Sequence, residues 1–572
     1  LARTRSQGRY YLALTRQLQG DHAQALTVMQ PLVEDVLAET QAGEFTDILV
    51  LQADSLLQTQ KFPEAIAAAQ TYVSRVTQDR QRPRALSLLA QAQARGDKIA
   101  ESLQTVALLR QESPQAPIVG STLLKLAELA DGRADWGTSA DLYGQLVAVS
   151  GDTENAAFGL RGQGWAQYQR KDYVAAAEAF ATFQQRFPTH ALAPEVGYYR
   201  AESLREQGQL AEAATAFAAT FEKFTPPEEL PEGAEQSGPF LFAYRAGVQA
   251  ARTHRQAQDI DAADAVYAKV VAQFPHVKQL DRLLDEWAVL NYEAERYDKA
   301  DEIFRRIVRE TPDSDLADNA QLSLAESDLF ANRLNDARKS FEELLASPKS
   351  DAAVRERAHY QLLVLALEQR RWTDVVNLGT EYRRTFPESP SLGYVDYAAA
   401  EAILVDPVVP VERLEPLLTV LSKMTEKLPP DSEAWAPRLW VLAAEAQFRL
   451  KRYDDITLTV ADLKKQLPES KLVYQAEEVL GRALKQQAKF PEAREALERV
   501  IADPAAFRTE TAAKSQFLIA ETWYLQEKWK EAFLAYQKVY ASYAYPDWQA
   551  AALLQSGKCD EQLGHTKEAI TS

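Results

Sequence analysis

Residues 170–188 read RKDYVAAAEAFATFQQRFP. Tyr173, Ala176, Phe180 and Phe183 follow at intervals of 3, 4 and 3, which draws one apolar stripe along a helix. Pro188 closes the stretch, since proline has no N–H to continue a helical ladder. A single striped helix must bury its apolar face against something else, so the next step is to look for its partner.

The same frame recurs. ERYDKADEIFRRIVRETP carries Tyr297, Ala300, Phe304 and Pro312, and DIDAADAVYAKVVAQFP carries Ile260, Ala263, Tyr267 and Pro275. RRWTDVVNLGTEYRRTFP has Trp372 and Pro387, and KRYDDITLTVADLKKQLP has Tyr453 and Pro468. In all five the first anchor stands 15 residues before the proline. Extended along the chain, the anchors run Phe62, Ile99, Trp136, Tyr173 and Leu210 at steps of 37. Ile260, Tyr297 and Leu334 follow at 37, and Trp372 at 38; Tyr453, Phe490, Trp529 and Thr566 close the series, with His22 opening it. Fixed-period self-similarity is the mark of a repeat architecture.

Nine residues before each anchor stands a small residue: Ala13, Ala53, Ala90, Ala127, Gly164, Ala201, Ala251, Ala288, Ala325, Ala444, Gly481, Ala520 and Gly557. Only the Trp372 unit departs, with Leu363. Each unit therefore reads as two helices of about 14 residues joined by a short turn, as in REQGQ, ERYD and EKWK. The small residue on the first helix lets the second approach closely, and a leucine there would overpack the contact.

A small residue in the first helix, an aromatic and then Ala opening the second, and a closing Pro together resemble the tetratricopeptide repeat (TPR). The resemblance covers nearly the whole chain. It implies an all-α, right-handed TPR-type α-solenoid of about 14 helix pairs, mostly of 37 residues against the 34 usual in the family. It also implies that the first helices line the concave side.

Two places break the rhythm. Leu210 and Ile260 are 50 apart, and the surplus is PPEELPEGAEQSGP, Pro226 to Pro239, too rich in proline for a helix interior. Trp372 and Tyr453 are 81 apart, and VDPVVPVERLEPL in that interval suggests a degenerate repeat around Leu414 with a bend. The expected organisation is N-terminal repeats over 1–225, an insertion loop over 226–239 and central repeats over 240–405. A degenerate repeat or bend over 406–430 and C-terminal repeats over 431–572, the last one incomplete, complete it. GHTKEAITS stops partway through a second helix, and with Leu1 at the other end the segment reads as a mature or excised piece.

A length of 572 residues exceeds one ordinary compact core, while 46% hydrophobic and 26% charged residues are normal for a folded soluble chain. The longest apolar run, YAAAEAILVDPVVPV, is broken by Glu401, Asp406 and two prolines, so no direct membrane span is expected. Any membrane association would pass through partners or an unseen anchor. A net charge of −18 argues against nucleic acid as a ligand. The single cysteine, Cys559, rules out an internal disulfide framework and reads as a buried packing thiol.

No catalytic, cofactor-binding or metal-binding residues are expected. GLRGQGWAQ lacks the third glycine of a dinucleotide loop, and SGKC lacks the upstream glycine of a P-loop. His22, His190, His254, His276, His359 and His565 are far apart in sequence and read as surface or helix-end residues. Projecting the first helices onto the concave face of the resembled fold gives an uneven lining. One unit offers Phe158, Arg161, Trp165 and Tyr168; the next offers Tyr198, Glu202 and Arg205. Arg245, Arg252 and Arg255 follow on one helix, and Arg282 one unit later. Guanidinium forks suit carboxylates and aromatics anchor interfaces, so these residues are the candidate face for protein partners, including acidic peptide segments. The alternatives are that Glu228, Glu229, Glu232 and Glu235 of the insertion fold over the arginines, or that the face is simply solvated.

The expected function is a non-catalytic scaffold for protein–protein interaction. FPTHALAP, TPDSDLADNA, FPESPSLG and LPESKLVYQA resemble the repeat junctions of bacterial envelope TPR proteins, such as the lipoprotein of the β-barrel assembly machine and the periplasmic coordinator of the Tol-Pal system. That likeness implies a component of a bacterial cell-envelope complex, periplasmic or outer-membrane-associated, with a cytoplasmic location as the alternative. The competing function is the recognition arm of a larger enzyme or regulator, its catalytic or DNA-binding domain lying elsewhere.

Overall fold

The computed structural model describes residues 2–38, 44–226, 228–406, 409–429 and 432–565. Among the described residues there are 29 α-helices, α1 to α29 in chain order, and no β-strand. Thr566, the last anchor, lies outside them. The chain divides into two compact units, Leu1–Ile307 and Val308–Ser572, each an all-α, TPR-type run of stacked helix hairpins among its described residues.

Every other described anchor opens a helix. His22, Phe62, Ile99, Trp136, Tyr173, Leu210, Ile260, Tyr297, Leu334, Trp372, Tyr453, Phe490 and Trp529 are the first residues of their helices. The cause sits one and two residues upstream. Gln60, Asp97, Ala134, Lys171, Gln258, Glu295, Asn332, Arg370, Lys451, Ala488 and Glu527, each two before an anchor, have φ between 54° and 63°. Gly20 and Gly208 occupy the same place with φ of 80°. Each is a one-residue left-handed stop. In the turn before Tyr173, Lys171 N donates to Tyr168 O at 2.9 Å and Asp172 N donates to Gln167 O at 3.0 Å. This pair of bonds is a Schellman motif, which satisfies the last carbonyls of the first helix. Asp172 then caps the second helix, accepting from Ala175 N at 3.2 Å. A left-handed residue with a Cβ costs roughly 1–2 kcal/mol, partly offset on replacement by the greater freedom of glycine in the unfolded chain. Lys171→Gly is therefore expected to raise stability by a few tenths to about 1 kcal/mol, read from the midpoint of urea unfolding.

Between repeats the element after the proline also has a local cause. Ser314, Ser389 and Ser470 accept through Oγ from the backbone N–H two residues on, at 3.0, 3.1 and 3.2 Å, and His190 does so through Nδ1 at 3.1 Å. The side chain closes the turn that launches the next first helix.

The two helices of a hairpin meet through paired volumes. Seven residues after most anchors stands a large side chain that is fully buried, such as Phe180, Phe217, Tyr267, Phe341 and Tyr536. It lies over the small position of the preceding helix: a Cβ on Gly164 would stand 2.4 Å from the Phe180 ring, and one on Gly481 2.5 Å from Leu497. The Trp372 unit inverts the pair. Leu363 is fully buried, and the facing position is Gly379, whose Cβ would stand 3.0 Å from Ala399 and 3.7 Å from Leu363.

First helices pack on first helices. In Leu1–Ile307, α9 (Glu154–Gln169) touches α11 (Ala193–Glu206), which touches α13 (Phe240–Gln256); in Val308–Ser572, α17 (Ala317–Phe330), α19 (Ala352–Glu368) and α21 (Leu392–Val405) do the same. The first of these layers carries most of the candidate residues. Among its described residues the insertion between α12 (Leu210–Phe224) and α13 forms one 3-10 turn, Ala234–Gln236. It packs on the end of α14 (Ile260–Gln273): Leu230 N donates to Gln273 O at 2.9 Å, and Glu229 meets His276 at 2.9 Å. The interval around Leu414 is a helix, α22 (Val411–Glu426), with Pro416 inside it. Cys559 is fully buried, and burial pushes its thiol up to about 11. His359 differs from the expected surface residue: it is 3% exposed in mid-α19, its Nε2 3.0 Å from Leu378 O.

Candidate partner-binding face

α9, α11 and α13 touch one another in turn, so part of each faces its neighbours in the first-helix layer as well as its hairpin partner. The structure brings the aromatic residues of that layer together. Trp165 stacks on Tyr168 at 6.1 Å between centroids, and both meet Tyr199 edge-on, at 5.0 and 5.7 Å. Tyr199 adjoins Tyr198 at 5.2 Å, and Phe242 on α13 closes on Tyr198 and Tyr199 at 5.8 and 6.0 Å. One half-buried ring array therefore spans three consecutive first helices.

Tyr199 and Phe242 are its hub and its far edge, and the helical projection of the sequence passes over both. The available signal is the doublet Tyr198-Tyr199 beside a unit already rich in rings. Phe158 is set apart, 38% exposed and edge-on to His190 at 6.2 Å.

The arginines divide into paired and unpaired. Arg161 lies over the Trp165 ring at 5.8 Å and donates to Glu195 on the next first helix at 2.9 Å. Arg205 holds Glu202 at 2.6 Å. Arg252 grips both oxygens of Glu286 on α15 (Leu280–Glu293) at 2.8 and 2.6 Å, and Arg255 meets Glu293 at 2.6 Å. Arg245 lies over the Phe242 ring at 5.7 Å, and Arg282 is exposed. Neither Arg245 nor Arg282 has an ion-pair partner among the described residues. The glutamates of the insertion form no ion pair with these arginines among the described residues: Glu229 pairs with His276, and Glu235 is buried beside Gln236.

Burial pushes the Tyr168 phenol up to about 12, with the charges of Glu202 and Glu206 adding to it, and pushes Tyr198 up as well. Both remain hydrogen-bond donors at neutral pH. Glu202, only 4% exposed, is held above the ordinary carboxylate range by burial, which outweighs the opposing pull of Arg205 and of the Tyr198 hydroxyl. A raised carboxylate favours the fold most at low pH, and that contribution is lost as pH rises through its folded value. Glu202→Gln is accordingly expected to flatten the fall in stability as pH rises above the unfolded glutamate value of about 4.3, read by urea unfolding at a series of pH values.

The arrangement offers ring faces, hydroxyl donors and two free guanidinium groups. Among the described residues no cluster of three or more His, Cys, Asp or Glu could hold a metal ion, and no helix is long and apolar enough to cross a membrane.

Tetratricopeptide repeat family models match residues 50–117 and 479–547, and 160–190, so these segments are TPR repeats. No curated protein matches the chain. Among solved structures, Naa15/Naa10 bound to HypK-THB is 12% identical, over 92% of this chain and 80% of that one, with a TM-score of 0.38. The C-terminal part of a TPR repeat-containing protein from Cytophaga hutchinsonii is 14% identical, over 48% of this chain and 99% of that one, with a TM-score of 0.34. Yeast Tom70 is 14% identical, over 91% and 96%, with a TM-score of 0.27.

Proposed function

We propose that this chain is a non-catalytic scaffold that holds segments of partner proteins against its first-helix layer, with the rings of α9, α11 and α13 as the principal docking face. The observation that carries the reading is the array itself. Trp165, Tyr168, Tyr198, Tyr199 and Phe242 come from three repeats, yet form one continuous surface left half open. Aromatic side chains bring large apolar area with few rotatable bonds, which is why they dominate binding hot spots. The ion pairs Arg161–Glu195 and Arg252–Glu286 tie consecutive first helices together beside the array.

Crosslinking mass spectrometry of the protein in its native extract, beside a Trp165→Ala/Tyr168→Ala variant checked for retained helicity, tests this. Crosslinks from α9–α13 to a defined protein, lost in the variant, support the reading; unchanged crosslinks place docking elsewhere and refute it.

The repeat junctions beginning at Pro188, Pro312, Pro387 and Pro468 support a bacterial envelope setting, periplasmic or outer-membrane-associated. Fractionation of the native cell tests it, and recovery from the cytoplasm alone would exclude it.

A further inference from the structure

Six first helices carry an arginine or lysine six residues before the small position, or before Leu363 where leucine replaces it: Arg84, Arg245, Arg282, Arg357, Arg438 and Lys514. Four of the six reach back to a carboxylate on the preceding first helix. Arg84 on α5 (Arg82–Arg95) pairs with Asp54 on α3 (Ile48–Gln58) at 2.7 Å. Arg357 on α19 grips Glu326 on α17 through two bonds of 2.6 and 2.7 Å. Arg438 on α23 (Ala436–Arg449) meets Glu401 on α21 at 3.4 Å, and Lys514 on α27 (Glu510–Leu525) meets Glu478 on α25 (Val473–Gln486) at 2.9 Å. Three rungs of this ion-pair ladder lace consecutive first helices in Val308–Ser572, and one does so in Leu1–Ile307.

Arg245 and Arg282, on the adjacent helices α13 and α15, stand outside the ladder. The α11 residue equivalent to Asp54 and Glu326 is Glu202, already held by Arg205 at 2.6 Å. The α13 residue equivalent to them is Arg252, a like charge that is itself committed to Glu286. Asp285, one turn along α15, forms no ion pair with Arg282. Both side chains are exposed, and Arg245 borders the ring array through Phe242.

We propose that Arg245 and Arg282 are withheld from the ladder to receive carboxylates of a bound segment, so that the partner docked on the ring array is an acidic peptide stretch. The inference rests on the docking reading above and adds the partner's chemistry to it. Places where a chain breaks its own local rule without a structural gain are where function is expected. A guanidinium fork matches a carboxylate with two parallel hydrogen bonds. Rings alongside exclude water and strengthen such a pair. The net charge of −18 repels an acidic segment at long range, but at physiological salt that repulsion is screened beyond about 8 Å, whereas direct contacts are not.

The test uses the intact chain and two fluorescein-labelled peptides, one of alternating glutamate and tyrosine, the other with glutamine in place of glutamate, titrated at physiological salt. The glutamate peptide is expected to bind at least about tenfold more tightly, a difference of about 1.4 kcal/mol. Arg245→Ala/Arg282→Ala should erase that preference without moving the melting midpoint, since neither side chain has an ion-pair partner among the described residues. Arg357→Ala, which breaks a paired rung in the same position, should lower the midpoint and leave peptide binding unchanged. Equal binding of the two peptides overturns the inference while leaving the docking face standing. Binding of neither peptide overturns both. A double variant that keeps the preference, or an Arg357→Ala variant that loses as much of it, also overturns the inference.

Discussion

Gly164→Ala should destabilise the Leu1–Ile307 unit by about 1–3 kcal/mol, and Gly164→Leu by more, because the first added carbon has nowhere to go. It would stand 2.4 Å from the Phe180 ring, which is 1% exposed and already packed with Ala157, Leu160, Ala176 and Phe183. Phe180 cannot swing aside without opening space under α11, so the strain passes into the backbone spacing of α9 and α10 (Tyr173–Arg186). The reciprocal change, Phe180→Ala, leaves a cavity instead and should cost about 3–5 kcal/mol. Urea unfolding of the intact chain reads both. Because neighbouring repeats support one another, the loss should appear as earlier unfolding of several helices together rather than of one hairpin. A Gly164→Ala protein as stable as the parent would mean that the glycine is there for some other reason than close approach.

That contact is legible in the amino-acid sequence, since a small residue nine before an aromatic anchor recurs often enough to declare its purpose. So are the helix starts: thirteen anchors open helices where the recurring frame, mostly at 37 residues, places them. The turn between the helices is harder to read. The left-handed residue two before each anchor is Lys, Glu, Asp, Gln, Arg, Ala or Asn more often than Gly, so composition hides a conformation that is uniform along the chain.

The candidate face is legible in part. Trp165, Tyr168 and Tyr198 fall on the expected stripe and meet, but through Tyr199, which a helical projection assigns to the flank. Charges are the least legible. Arg252 and Arg255 share one helix face with Arg245 and look like one basic cluster, yet their carboxylates come from 34 and 38 residues further on, at spacings set by the superhelix rather than by one helix. The serine that follows the junction prolines is equally ambiguous in sequence. In the structure it closes a local turn at Ser314, Ser389 and Ser470, a sufficient physical reason for its recurrence in any repeat of this geometry.

Leu363 is the one departure in the small-residue series, and its explanation makes the last and sharpest expectation. In repeats such as those of Phe180 and Leu497 the first helix gives up volume and the second fills it; here the leucine sits on α19 and the glycine, Gly379, on α20 (Trp372–Thr385). The sum is conserved while the donor and acceptor of the volume exchange places. Leu363→Ala should cost about 2–5 kcal/mol, because a fully buried leucine leaves a void lined by Ala366, Val375, Tyr382 and Val395, all themselves buried. Gly379→Leu should cost about 1–3 kcal/mol by overpacking, since its Cβ already meets Ala399 at 3.0 Å. Combined, the two changes restore the arrangement of the other repeats. Their costs should then fall short of additivity by about 1 kcal/mol or more, the signature of two side chains competing for one space. Full additivity in a double-mutant cycle would separate the two positions and leave Leu363 without a partner to explain it. A large coupling would establish that the repeat conserves the volume between its helices rather than the identity of the residue on either one.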